Sequence, residues 1–421
     1  MSNVNPILDS NRIMISGPVN VVRLEGFIHG IKKVIYLFMD YHMSVNNQTQ
    51  CHNIFSEDIQ KYFINNFHAL NKGTKIYDFF VEIYPSELGD IKDTRDATEK
   101  DYKEKYIEEV VKLFKKIFSY DTKKNKVSIN KLFKNIRVHY LDLRDYYKNN
   151  VHEKMSTMIK ITDNFMRNDS IDVKALDNII NLMQIMKHHL ETIVDILAGS
   201  SKSRKKITGV KIIKKKTSNA LDVQALEYLT NKIRNRYKYD DVKKVMNILI
   251  DNTIKNFNDV VDELDKTIQE FDEYADKIGK SEDKLVKDLN TSYMYIYGLS
   301  TYTIRQMIVD IANKVESLID EKFIEFFARF TDIYFLRRFL DKDYITNAIV
   351  YSGALHSNTY ISILVKHFNF KITHTSYSKI ADMNKLTNEV KKRSLTEMQE
   401  LILPIILQQC SDMTHFPLEF L

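Results

Sequence analysis

The chain has 421 residues and a formal net charge of +6. Its 44% hydrophobic content can fill a sizeable core, which argues against a mainly disordered protein, and so modest a charge does not by itself demand a nucleic-acid partner. No stretch reaches the ~18 apolar residues a bilayer span needs, and Asn3, Asn5 and Asp9 stand where a signal peptide has a basic start and an apolar segment, so neither is expected.

Residues 19–28 and 33–39 read as two strands around a turn at His29-Gly30. A helix is predicted over 57–70, where Ile59, Tyr62, Phe63, Phe67 and Leu70 recur at helical spacing and Ser56 offers an N-cap. Residues 75–84 form an apolar, aromatic strand that stops at Pro85. Residues 100–119 set Tyr106, Val110, Leu113, Phe114 and Ile117 on one helix face, and 137–143 read as another strand. That alternation predicts a parallel sheet. No proline occurs between Pro85 and Pro404, a stretch free of the residue that breaks helices. Helical periodicity fills about 150–340, with helices over 171–197, 242–278 (one, or a bent pair) and 303–340. The mixed pattern returns at Asn347 with a strand, a turn at Gly353, a helix over 359–368 and a strand over 370–374. The expected fold class is therefore α/β. A discontinuous, mostly parallel sheet domain uses residues 1–150 and 341–421, the second part with a C-terminal helix and tail, and a large all-helical insertion occupies 151–340.

Ligand sites in open parallel sheets lie beyond the carboxyl ends of the strands. Four strand ends bring chemistry there: Asp40 and His42; Glu82; Asp142, Arg144 and Asp145; Gly353 and His356. If those strands are neighbours, imidazoles from opposite ends of the chain meet at one rim. Neutral imidazole and carboxylate suit a divalent cation such as zinc, manganese or cobalt, which makes His42, Glu82 and His356 candidate metal ligands. A metal there would acidify a bound water, with Glu82 or Asp40 as base. Without metal, His42 or His356 serves as general base or acid and Arg144 stabilises an anion. The sequence fixes no cofactor beyond that divalent metal. The plainer alternative reads each strand-end histidine as a hydrogen-bonding cap, and Asp142 with Arg144 as a structural ion pair.

Gly353-Ala354-Leu355-His356, between an apolar strand and a helix leading into Phe370-Lys371-Ile372, resembles the Gly-x-x-His element of the TraB/Tiki and erythromycin-esterase-like group. The resemblance implies a hydrolase, either active or degenerate. Its active centre would combine two such elements with a glutamate after an early strand. Tiki-type members are metal-dependent proteases, and the esterase branch hydrolyses a lactone without metal. His356 matches the second element, Glu82 the glutamate and His42 the first element, where Met39 replaces the glycine. The segments Tyr36-Leu37-Phe38-Met39-Asp40-Tyr41-His42 and Gln409-Cys410-Ser411-Asp412 also resemble proteins of mimivirus-like giant DNA viruses. That implies the host cytoplasm, a viral factory or the virion.

Between Lys202 and Lys216 lie eight basic residues, Lys205, Lys206, Lys214, Lys215 and Lys216 among them, and no acid occurs from Ile196 to Leu221. Glycines and serines mark residues 199–217 as a loop. It reads either as a solvated loop or as a contact for nucleic acid or an acidic protein, without the interleaved aromatics that stack bases. The alternative function is thus a non-enzymatic viral structural or interaction protein using this loop. Cys51 and Cys410, the only cysteines, read as two ordinary thiols in a reducing compartment. His188-His189 lies within a helix and points two ways, as surface residues do.

Overall fold

The computed structural model describes residues 11–42, 51–82, 106–118, 120–121, 126–127, 131–141, 148–199, 223–285, 295–296, 299–318 and 325–420. In chain order its elements are β1 (Met14–Ser16), β2 (Asn20–Ile28), β3 (Ile31–Asp40), β4 (Glu57–Asp58), α1 (Ile59–Leu70), β5 (Tyr77–Val81), α2 (Tyr106–Ile117), β6 (Tyr120–Asp121), β7 (Lys126–Val127), β8 (Ile136–Tyr140), α3 (Lys148–Asn168), α4 (Val173–Ala198), α5 (Val223–Asn235), α6 (Asp240–Leu285), β9 (Tyr295–Ile296), β10 (Leu299–Ser300), α7 (Thr301–Ser317), α8 (Glu325–Asp341), β11 (Asn347–Gly353), α9 (Ala354–Phe368), β12 (Lys371–Thr375), α10 (Met383–Lys392), α11 (Leu395–Ile402) and β13 (Cys410–Asp412). The fold is mixed α/β. The chain divides into two compact units, Met1–Asp142 with Tyr237–Val245 and Tyr334–Leu421, and Leu143–Arg236 with Met246–Ile333.

The first unit is built on a six-stranded mixed sheet in the order β12-β2-β3-β11-β5-β8. The β3–β11, β11–β5 and β5–β8 pairings are parallel; β12–β2 and β2–β3 are antiparallel. β11 comes from late in the sequence and sits between two early strands. β3 is buried along almost its whole length because both sheet faces are covered, which is why it reads as an unbroken apolar run rather than an alternation. The β2–β3 hairpin closes at His29-Gly30, both with positive φ (48° and 80°), as a two-residue turn matching strand twist requires. The His29 ring stacks on Tyr239 at 3.9 Å, and its Nε2 lies 2.8 Å from Asp241 Oδ1, which ties the hairpin tip to the 237–245 stretch.

One face of the sheet carries Tyr36, Phe38, Phe79, Val81, Ile349 and Tyr351 against Ile59, Phe63 and Phe67 of α1, Val110 and Phe114 of α2, and Phe416 and Phe420 near the C-terminus. On the other, Phe80 meets Phe335 of α8 at 5.0 Å, and Phe335 meets Tyr360 of α9 at 4.4 Å. Lys33 is buried there, and its Nζ donates to the carbonyls of Lys342 and Ile345 at 2.8 and 2.6 Å, just past the end of α8. Burial pushes that amine down to about 8 against the pull of Asp343, Asp78 and Asp341.

Three local expectations are corrected. Asp58, not Ser56, caps α1, its carboxylate accepting from Gln60 N at 2.8 Å. The last helix of the mixed pattern starts at Ala354 rather than 359, directly after Gly353, so His356 falls in its first turn. Cys51 and Cys410 are not separate thiols but a disulfide, with Cα atoms 5.0 Å apart. The cause is topological. β1 pairs antiparallel with β13 and parallel with β4, which brings Cys410 beside the segment that leads into β4.

The second unit holds α3, α4, α5, α7 and most of α6. Leu176, Ile179, Ile180, Met183, Met186, Leu190, Ile193 and Leu197 form the buried stripe of α4, which Asp172 caps at its start and Gly199 ends at φ 68°. Lys187 pairs with Asp265, and Tyr274 donates to Asp310 at 2.8 Å.

Candidate functional site

β3, β5 and β11 run parallel and end together. Asp40 is opposite Gly353 in register, and Glu82 continues the line of β5 by donating its N–H to Tyr351 O at 3.1 Å. Gly353 closes β11 and opens α9 with no side-chain cap. A strand feeding a helix through one glycine is how a short segment delivers both a backbone N–H and, three residues on, a side chain to one rim.

Glu82 is the hub. Its Oε2 accepts the Gly353 N–H at 2.7 Å. Its Oε1 lies 3.3 Å from His356 Nε2 and 3.8 Å from His42 Nε2. Side-chain exposure grades across the trio: 7% for Glu82, 10% for His356 and 41% for His42, so only His42 opens broadly to solvent. Burial alone would raise the Glu82 carboxyl. The charge and hydrogen bond of His356, the charge of His42 and the Gly353 N–H overcome it and hold the carboxyl well below the usual carboxylate range. These contacts favour the anion, so Glu82 serves as an acceptor rather than a proton donor.

His42 leaves β3 in the left-handed region, at φ 53°. The Asp40 carboxylate accepts its backbone N–H at 2.8 Å, and its Nδ1 lies 2.7 Å from the same oxygen, Oδ2. The other Asp40 oxygen accepts the Tyr351 hydroxyl at 3.1 Å. Burial first, then the Asp40 charge and hydrogen bond, push the Tyr351 phenol well above its ordinary value. His42, Glu82, His356 and Asp40 thus come together as the sequence suggested. Arg144, with Asp142 and Asp145, lies outside the described residues, as do Lys205, Lys206, Lys214, Lys215 and Lys216. The trio is tied by hydrogen bonds and charge, and among the described residues no group of three or more His, Cys, Asp and Glu side chains could hold a metal ion. No chemical step is routed through a metal. Met39 lies buried within β3 opposite Ser352.

Tyr351 was missed because it sits inside an apolar run. So was a second buried cluster, in which Asp78 accepts Arg137 Nε and Nη2 at 2.8 and 2.7 Å and lies 2.6 Å from His139 Nε2. Arg137 and His139, two apart on one strand, share a sheet face, and that was the available signal.

A methyl group on Gly353 would stand 3.1 Å from His42 Nε2 and 3.4 Å from Glu82 Oε2. Gly353→Ala is expected to fold, since φ here is −52°, and to displace the imidazole. The displacement is read as a change in the His42 imidazole ¹H–¹⁵N shifts of the folded variant, and unchanged shifts would mean that the ring keeps its place.

A model for a family of unknown function (DUF5847) matches residues 13–421. The chain belongs to this family. Uncharacterized protein R706 of Acanthamoeba polyphaga mimivirus is 60% identical over 420 residues and covers the whole of both chains. From the same virus, Uncharacterized protein R161 is 35% identical over 98% of this chain and 99% of its own, and Uncharacterized protein R160 is 38% identical over the full length of both. DUF5847 is thus a mimivirus protein family with several copies in one virus. No solved structure matches the chain. No helix among the described residues is long and apolar enough to cross a membrane.

Proposed function

We propose that the rim of β3, β5 and β11 is a metal-independent hydrolytic centre for esters or lactones, akin to the esterase branch of the TraB/Tiki and erythromycin-esterase-like group. One observation carries the reading: two imidazole nitrogens from opposite ends of the chain lie against one buried carboxylate oxygen, Glu82 Oε1. Neither the family nor the relatives bring an activity with them, so the proposal rests on this geometry and on the Gly353-Ala354-Leu355-His356 likeness. In it His42, the exposed imidazole, takes the proton of an attacking water. His356, paired with Glu82, gives a proton to the leaving alkoxide. The first-turn N–H groups of α9 are the donors available to the tetrahedral oxyanion.

The test is hydrolysis of p-nitrophenyl acetate and a panel of macrocyclic lactones by protein treated with chelator. Turnover is expected, with His42→Ala and His356→Ala each slower by roughly 10² to 10⁴. Absence of turnover across the panel, or equal rates in the variants, overturns it.

Polyanion contact at the basic segment is a separate proposal, supported by eight Lys and Arg residues between Lys202 and Lys216 in a run without acids. The variant with Lys214→Ala, Lys215→Ala and Lys216→Ala is expected to leave a heparin column at lower salt than the parent. Unchanged elution retires that role.

A further inference from the structure

We propose that Asp40, held in turn by Tyr351, is the positioning residue of His42, setting both the tautomer of its ring and the backbone turn from which the ring projects. The inference rests on the hydrolytic reading above for its purpose, but its geometry stands alone. Asp40 is 1% exposed, with a side chain wholly out of contact with water. A carboxylate has no proton to give, so each of its close contacts must be a donor. Its Oδ2 accepts the His42 N–H at 2.8 Å and faces Nδ1 at 2.7 Å. One ring proton therefore sits on Nδ1, which leaves Nε2, the nitrogen turned towards Glu82, as the position where the ring gains or gives up its second proton.

The same oxygen performs two tasks. Left-handed backbone is disfavoured for a residue with a Cβ, and the Oδ2 bond to the His42 N–H is a local hold on that conformation at φ 53°. Oδ1 accepts the Tyr351 hydroxyl at 3.1 Å, which stops the carboxylate from rotating away. Tyr351 lies on β11, two residues before Gly353, so the strand that supplies the His356 half of the site also steadies the His42 half. By sequence Asp40 is a candidate base. With both oxygens engaged and no exposure, it acts instead through the histidine.

The measurement is the tautomer of His42 by long-range ¹H–¹⁵N correlation of uniformly labelled full-length protein near neutral pH, assigned with His42→Gln. In the parent, the proton is expected on Nδ1. Asp40→Asn offers an amide that can donate to Nδ1, so the proton should shift to Nε2, and kcat for ester hydrolysis should fall by roughly 10² to 10⁴ with KM little changed. Tyr351→Phe keeps the tautomer and loses roughly 3- to 10-fold in kcat. It also serves as the readable variant if Asp40→Asn does not fold. An unchanged Nδ1–H signal in folded Asp40→Asn, or a Tyr351→Phe rate equal to the parent's, overturns the assignment. If no ester is turned over even by the parent, the hydrolytic reading fails while the tautomer result still decides this one.

Discussion

Glu82→Ala is expected to lose roughly 3–5 kcal/mol of stability in denaturant unfolding near neutral pH, the range for removing one partner of a buried charged pair. The side chain is 7% exposed, accepts the Gly353 N–H at 2.7 Å and faces His356 at 3.3 Å. Its removal leaves a buried amide and an imidazole beside a void at the point where β11 turns into α9. Glu82→Gln keeps the volume and one acceptor and should lose less, about 1–3 kcal/mol. The pH dependence separates charge from packing. The folded carboxyl is held well below its ordinary value, so its contribution is complete above the unfolded-state value of about 4.3 and is lost as pH falls below it. The gap in stability between parent and Glu82→Gln should therefore narrow from pH 7 to pH 3. A gap of constant size would assign the effect to shape alone.

Asp78→Ala is expected to cost roughly 1–3 kcal/mol, because Asp78 is fully buried while Arg137 keeps 35% of its side chain exposed. Asp78 has no exposed side chain and receives both arms of Arg137 while standing 2.6 Å from His139. The guanidinium is also placed by Tyr344, whose carbonyl accepts Nη2 at 2.8 Å and whose ring lies 4.9 Å beneath it. His139 stacks on Phe80 at 4.6 Å. Removing the acid strands a cation that its surroundings hold in place. Pairing Asp78→Leu with Arg137→Met should recover much of the loss, because two apolar groups replace two charges that had to be desolvated. Thermal unfolding of the single and double variants gives the coupling directly. A double variant no more stable than Asp78→Ala alone would mean that shape, not the orphaned charge, sets the penalty.

What the sequence revealed depended on how each element is buried. β3 was legible because a strand covered on both faces has no polar positions to interrupt it. α4 was legible because one stripe of it is buried at helical spacing. Strand direction was not legible. The run that became β12 reads the same whether it pairs parallel or antiparallel, and it pairs antiparallel with β2. The start of α9 was misplaced because His356, Ser357, Asn358 and Thr359 look like a loop. They are buried, with Ser357 Oγ 3.2 Å from Ser352 Oγ, so tertiary packing overrode local polarity. Of the candidate site, the strand-end residues His42, Glu82 and His356 could be found from spacing alone. Tyr351 could not, and the spacing of Arg137 and His139 did not name their acid, since these partners lie on other strands and become visible only once strand order is known.

The bond between Cys51 and Cys410 spans 359 positions of sequence. It closes residues 51–410 into a covalent ring. Chain expansion on denaturation is then limited to a closed loop, a restriction worth on the order of 5 kcal/mol by the loop-entropy argument. A protease that nicks the backbone at any single point inside the ring releases no fragment, and the pieces part only when a thiol reductant opens the circle.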